Sequence, residues 1–272
     1  MFTQLTLRNF KAWRERIEIP LAPVTVLLGT NSSGKSSLLQ ALLLMKQTVL
    51  SPDRSIHLNF GGDDASDYFN FGHFEDVLTR GASPRQFEIG FNFHSTFDAE
   101  NNPTNFSIGE FSADYGMTQS RSAVIQYLDL FGYKDNFDAK DSFQQWVGFR
   151  ITRHDKGAYS ILNFEGSESR LLGKSRDYAP ERSIALPAEA IRLLAHNGII
   201  AEDISLAIRR ELLGIAYLGP LRRKPERDYV WNKSKPGELG TDGAGFVNAL
   251  FDSAFHRSKN GDPSKIVEEV SS

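Results

Sequence analysis

Between residues 23 and 50 the sequence changes character twice. A short apolar run, Pro23-Val24-Thr25-Val26-Leu27-Leu28, leads into Gly29-Thr30-Asn31-Ser32-Ser33-Gly34-Lys35-Ser36-Ser37. From Ser36 to Leu50 the residues are mostly Leu, Ala, Met, Gln and Lys. The first run is β-branched and uninterrupted, as in a strand covered on both faces, so a buried strand is expected there. The last stretch has the composition of a helix. Gly29, Gly34, Lys35 and Ser36 meet the spacing GxxxxGK(S/T), and strand, glycine loop and helix in that order is the context this pattern requires.

The residue types explain the chemistry. A nucleoside triphosphate presents closely spaced anionic oxygens. Backbone N–H groups from Thr30 to Ser36 can form a concave nest around them. Gly29 and Gly34 allow backbone angles and close approaches that a Cβ would block. The helix start after Gly34 adds free N–H groups and the positive end of its dipole. Lys35 is a mobile point charge for the β- and γ-phosphates and the candidate catalytic residue. The Ser36 hydroxyl is the candidate Mg²⁺ ligand. The expected cofactors are therefore ATP and Mg²⁺, held by Gly29, Thr30, Asn31, Ser32, Ser33, Gly34, Lys35, Ser36 and Ser37.

Two further stretches give a resemblance. Leu5-Thr6-Leu7-Arg8-Asn9-Phe10-Lys11, followed by Pro23 to Leu39, resembles the N-terminus of SMC/RecF/OLD-type ATPases across about the first fifty residues. Tyr217-Leu218-Gly219-Pro220-Leu221-Arg222-Arg223, through Tyr229 and Trp231, is similar to a segment of stand-alone bacterial ATPases of that group. Some of those act in phage defence beside a nuclease. The resemblance implies an α/β phosphate-loop NTPase, an ABC-like head with an antiparallel β subdomain and a helical C-terminal part. It implies a homodimer of heads in DNA maintenance or phage defence, with DNA or an effector protein as partner. The expected layout is a phosphate-loop core over 1–85, a β-rich subdomain over 86–165 and a helical part with a return strand over 186–272.

Composition bounds the rest. The chain has 272 residues, 40% hydrophobic and 24% charged, as an ordinary globular protein does. A net charge of −3 gives no global basic field for nucleic acid. Cysteine is absent, so disulfides and thiolate metal sites are excluded. The N-terminus lacks a signal-peptide pattern and no apolar stretch is long enough to span a bilayer, so a cytoplasmic protein without a membrane partner is expected.

Alternation predicts a hairpin over 3–8 and 16–19. It predicts further strands at 87–93, 106–111, 123–128, 147–152, 159–164 and 215–218. Residues 51–85 and 166–183 read as loops, and 187–213 as helical. Phe10 and Lys11 read either as base or ribose contacts or as a core aromatic and a surface lysine. His73 and Gln86 are weak candidates facing the nucleotide. The twenty phenylalanines read as core. Arg222, Arg223, Lys224 and Arg227 beside Tyr229 and Trp231 suggest phosphate contact, a partner surface or a solvated loop.

Hydrolysis in this class uses an Asp–Glu pair closing a hydrophobic strand. The nearest approach, Tyr127-Leu128-Asp129, supplies one acid, and no serine–glycine signature is evident. The chain ends within a helical pattern, at Val267 to Ser272. Two expectations follow. One is the N-terminal part of a longer ATPase, completed by motifs beyond this sequence. The other is a nucleotide-binding sensor or scaffold that does not hydrolyse. A small-molecule kinase shares the loop, but no lid or acceptor site is visible.

Overall fold

The computed structural model describes residues 1–62, 68–94, 108–133 and 146–219, with Gly243 and Gly245. It divides into two compact units, residues 1–214 and 215–272. In the first, a single antiparallel sheet runs in the order β2-β1-β3-β4-β5-β6-β7-β8. Its strands are β1 (Phe2–Arg8), β2 (Ile17–Pro20), β3 (Phe87–His94), β4 (Ile108–Met117), β5 (Ala123–Tyr133), β6 (Trp146–Arg153), β7 (Tyr159–Glu165) and β8 (Glu168–Ser175). The N-terminal hairpin joins the long meander through β1 and β3, with Leu5 opposite Phe91 and Leu7 opposite Ile89. The fold is thus α/β with an antiparallel sheet.

Alternation puts one face of this sheet in the core. Leu5, Leu7, Ile89, Phe91, Phe111, Tyr115, Leu128, Leu130, Phe149, Ile151 and Ile161 are all buried. Phe91 stacks on Phe111 at 4.7 Å between centroids and takes the edge of Phe2 at 5.2 Å. The phenylalanine-rich stretch is therefore packing material. The other face is polar around β1, β3 and β4, where Arg8 reaches Asp114 at 2.7 Å and Glu88 at 3.4 Å and Arg16 reaches Glu88 at 3.1 Å. Across β5, β6 and β7 it carries a ring cluster of Phe131, Trp146 and Phe164.

Helix α1 (Lys35–Leu50) follows the phosphate loop. It is buried nearly all round from Leu43 to Val49. The reason lies in the loop-rich segment after it. The Gln47 side-chain amide donates to the carbonyls of Asn59 (2.9 Å) and Phe69 (3.2 Å) and accepts from the Phe69 N–H (3.2 Å). Lys46 lies over the Tyr68 ring at 4.8 Å. One turn, α2 (Phe74–Val77), interrupts this segment. The helical stretch expected at 187–213 is two helices, α3 (Ala188–Leu194) and α4 (His196–Leu213), broken at Ala195, whose φ is 54°. Helix α4 packs against α1 and the core face of β4, β5 and β6.

Three expectations are corrected. Residues 23–28 form no strand: they pair with no described strand, and Val24, Val26 and Leu28 are 81%, 71% and 88% exposed. The apolar pattern there is one for a segment covered on both sides, and the described residues supply no cover. Residues 168–175, expected as loop, form edge strand β8; it buries only Leu172, so its polar sequence hid it. In the second unit, residues 215–219 adopt no regular structure, against the strand expected at 215–218.

Candidate phosphate-binding site

The loop between Gly29 and Ser37 takes the shape its glycines permit. Gly29 (φ 150°) and Gly34 (φ 89°) both adopt positive φ, and Ser32 joins them at 64°. A Cβ on Gly29 would lie 3.0 Å from Ser33 Oγ, and one on Gly34 would lie 3.0 Å from Trp13 Nε1. These residues are therefore glycine for space as well as for torsion. The turn closes through Ser33 N–H to the Thr30 carbonyl at 3.3 Å and Ser37 N–H to the Gly34 carbonyl at 3.0 Å.

Lys35 folds back over this loop. Its ammonium donates to the carbonyls of Gly29 (2.8 Å) and Thr30 (2.6 Å) and to Ser33 Oγ (3.2 Å). All three ammonium donors are thus held at the mouth of the loop. Helix α1 starts at Lys35 with Gly34 as its N-cap, without a side-chain cap and without an acidic residue in its first turn. Apart from the Ser37 N–H, which is bonded to the Gly34 carbonyl, the first N–H groups of the helix face no side-chain cap and can serve an external anion. Thr30, Asn31, Ser32, Ser33 and Ser36 are exposed, whereas Ser37 is buried. Ser36 therefore presents its hydroxyl to solvent, and Ser37 belongs to the packing beneath.

The turn of the β1–β2 hairpin supports the loop from below. Trp13 Nε1–H donates to the Gly34 carbonyl at 3.2 Å, and a Cβ on Gly34 would meet Ala12 Cβ at 3.1 Å. Lys11 Nζ donates to Gln40 Oε1 on α1 at 2.8 Å and sits 5.2 Å from the Phe71 ring centre. Burial lowers the pKa of Lys11, with the Asp76 carboxylate opposing that shift. Lys11 thus fastens the hairpin to α1. Phe10 is fully buried and meets Phe87 edge-on at 5.6 Å, which makes it a core residue. Trp13 is the residue that sequence reasoning missed. Its only signal was a tryptophan three residues past Phe10 in a hairpin turn.

The other candidates have the following neighbours. The His73 N–H donates to Asp76 Oδ2 at 2.8 Å at the start of α2. The Gln86 carbonyl accepts from Asn9 Nδ2 at 3.1 Å at the entrance of β3. Asp129 is held by Arg150 through two bonds of 3.0 Å, Nε to Oδ1 and Nη2 to Oδ2, and its Oδ2 also accepts from Tyr127 at 3.1 Å. A carboxylate so occupied is a poor metal ligand. The Arg222 to Trp231 cluster lies outside the described residues.

A family model for the AAA ATPase domain matches residues 1–162, from β1 into β7. The chain belongs to the AAA ATPase domain family. It is accordingly an ATP-binding ATPase module of the phosphate-loop class. No protein of curated function matches the chain. The match spans β1 to β6 and the start of β7, so that much of the sheet falls within the AAA ATPase domain. Among the described residues no helix is long and apolar enough to cross a membrane.

The residues present fit a nucleotide with its metal. The loop offers positive-φ turns, an uncapped helix start and a lysine whose partners are exchangeable carbonyls. Among the described residues no three His, Asp or Glu side chains converge as a metal site. A divalent cation here would be held by Ser36 and by phosphate oxygens.

Proposed function

We propose that residues Gly29 to Ser37 hold the phosphates of ATP, with Ser36 as the Mg²⁺ ligand, in an ABC-like head of SMC/RecF/OLD type. The observation that carries this is the uncapped start of α1 beneath a loop whose lysine already spans its mouth. On binding, the Lys35 ammonium exchanges neutral carbonyl acceptors for anionic phosphate oxygens. Charge-assisted bonds of that kind are roughly twice as strong as neutral ones. The helix N–H groups gain an acceptor at the same time. Bound Mg²⁺ supplies charge neutralisation between the β- and γ-phosphate oxygens.

The resemblance of residues 5–39 supports nucleotide-driven pairing of two heads. It also supports work on DNA or through an effector protein, in DNA maintenance or phage defence in the cytoplasm. On this reading hydrolysis draws on groups outside the described residues, because Asp129, the nearest approach to the expected acidic pair, is spent on Arg150. That capture equally favours a second reading, a nucleotide-binding sensor or scaffold for an effector. On either reading the purified chain binds ATP saturably and releases phosphate more slowly than ordinary enzymes turn over, below about 1 s⁻¹. Turnover at or above that rate would place the hydrolytic groups within this chain and overturn this account of hydrolysis.

A further inference from the structure

Where β5, β6 and β8 come together at one end of the sheet, the surface opens into a cleft of about 480 Å³. It is lined by Gln126, Arg153, His154, Asp155, Lys156 and Lys174. Three cations from different parts of the chain converge here: Arg153 closes β6, Lys156 sits in the β6–β7 turn and Lys174 comes from β8. Asp155 is the one carboxylate in the lining. Elsewhere arginines such as Arg8, Arg16, Arg54 and Arg150 rest on carboxylates. Among the described residues, Arg153, Lys156 and Lys174 have no ion-pair partner. In a chain of net charge −3, a cleft with three cations to one carboxylate is a local departure from the whole.

The cleft is also held in shape. Arg153 lies directly opposite Tyr159 in the β6–β7 ladder. The Tyr159 hydroxyl donates to the Ile125 carbonyl at 3.1 Å. The His154 ring bonds Ser160 Oγ at 2.7 Å. Lys156 takes a left-handed conformation (φ 60°), which shapes the tight turn that carries it. The positive field extends inward: beyond burial, the main cause, Arg153 contributes to holding His57 at a pKa of about 4. A cleft in which one sign of charge predominates focuses its field on a counter-ion. An arginine fork beside two lysines suits phosphate oxygens.

We propose that this cleft is a second anion site that takes a phosphate-bearing ligand, separate from the phosphate loop. It lies on β5 to β8, and β7 is five strands from β1, about 24 Å at the usual strand spacing. A nucleotide on the loop therefore does not fill it. The ligand's phosphates come either from a small phosphorylated molecule or from a nucleic-acid backbone.

The test uses the whole chain with the phosphate loop disabled by Lys35→Ala. Tripolyphosphate is titrated calorimetrically into that variant and into one also carrying Arg153→Gln, Lys156→Asn and Lys174→Gln. Asparagine tolerates the left-handed turn, so the backbone at 156 is kept. The expected result is at least a tenfold loss of affinity, with an unchanged melting temperature. If the full set of changes unfolds the chain, Lys156→Asn with Lys174→Gln, both at exposed positions, is expected to give about a threefold loss. A duplex-DNA titration separates the sources. A parallel loss with a shallower salt dependence assigns the phosphates to nucleic acid, and loss for tripolyphosphate alone assigns a small molecule. Equal affinities in the compared variants, or no binding to the Lys35→Ala chain, would overturn the proposal. The variants share the disabled loop, so this outcome is independent of whether the loop binds ATP.

Discussion

At the scale of single residues, the loop is built so that one side chain below it and one above it fix its form. Trp13 holds the Gly34 carbonyl from beneath, and Lys35 bridges Gly29 and Thr30 from above. Trp13→Phe keeps a ring against Gly34 and removes the donor. A hydrogen bond of this kind is worth about 1 kcal/mol, so ATP affinity is expected to fall about fivefold in a fluorescence titration. An unchanged affinity would make Trp13 mere packing. His57 tells a different story. It is buried, its Nδ1 accepts the Ile125 N–H at 2.8 Å, and burial is the chief reason its pKa is lowered to about 4. The folded state thus favours neutral His57. Its contribution is fully present above the unfolded value near 6.5 and is lost as pH falls from there towards 4. Urea unfolding across that window is expected to show a decline on the order of 3 kcal/mol, which His57→Gln removes. The loop residues could be read from the sequence because their pattern is local. Trp13 and His57 could not, since each acts on a partner 21 or 68 positions away.

At the scale of elements, pattern and partner part company. The strands of the meander follow period-two alternation, and their registers bring Leu, Ile and Phe to one face. Residues 23–28 show the limit: an apolar pattern states what a segment would bury, while a ladder needs a neighbour. Strand β8 shows the reverse, a ladder formed through backbone pairing with hardly any apolar signal. The helices α3 and α4 meet closely just past their break at Ala195. A Cβ on Gly198 would lie 2.2 Å from the Ile191 carbonyl, so α4 can begin this close to α3 only with glycine there. Although alanine favours helix in general, Gly198→Ala is expected to destabilise the chain by about 1–3 kcal/mol, as overpacking does. Thermal unfolding checks this, and a stabilised Gly198→Ala chain would contradict the close crossing.

At the scale of the molecule, the AAA ATPase domain is a helix-backed antiparallel sheet. One corner of that sheet carries the phosphate loop on a hairpin. The hairpin turn touches Gly34, Lys11 ties that turn to α1, and α1 packs on α4 across the core. The composition and the glycine loop made the general class legible. The joining of the hairpin to a long meander was not, because pairing between β1 and β3 links segments some eighty residues apart. The account rests on the loop as the nucleotide site, and the most direct measurement is calorimetric titration of Mg²⁺–ATP into the unmodified chain and into Lys35→Ala. One saturable site is expected in the unmodified chain, with affinity reduced at least tenfold when the ammonium is removed. Equal affinities in the two would contradict the account and place ATP elsewhere on the molecule.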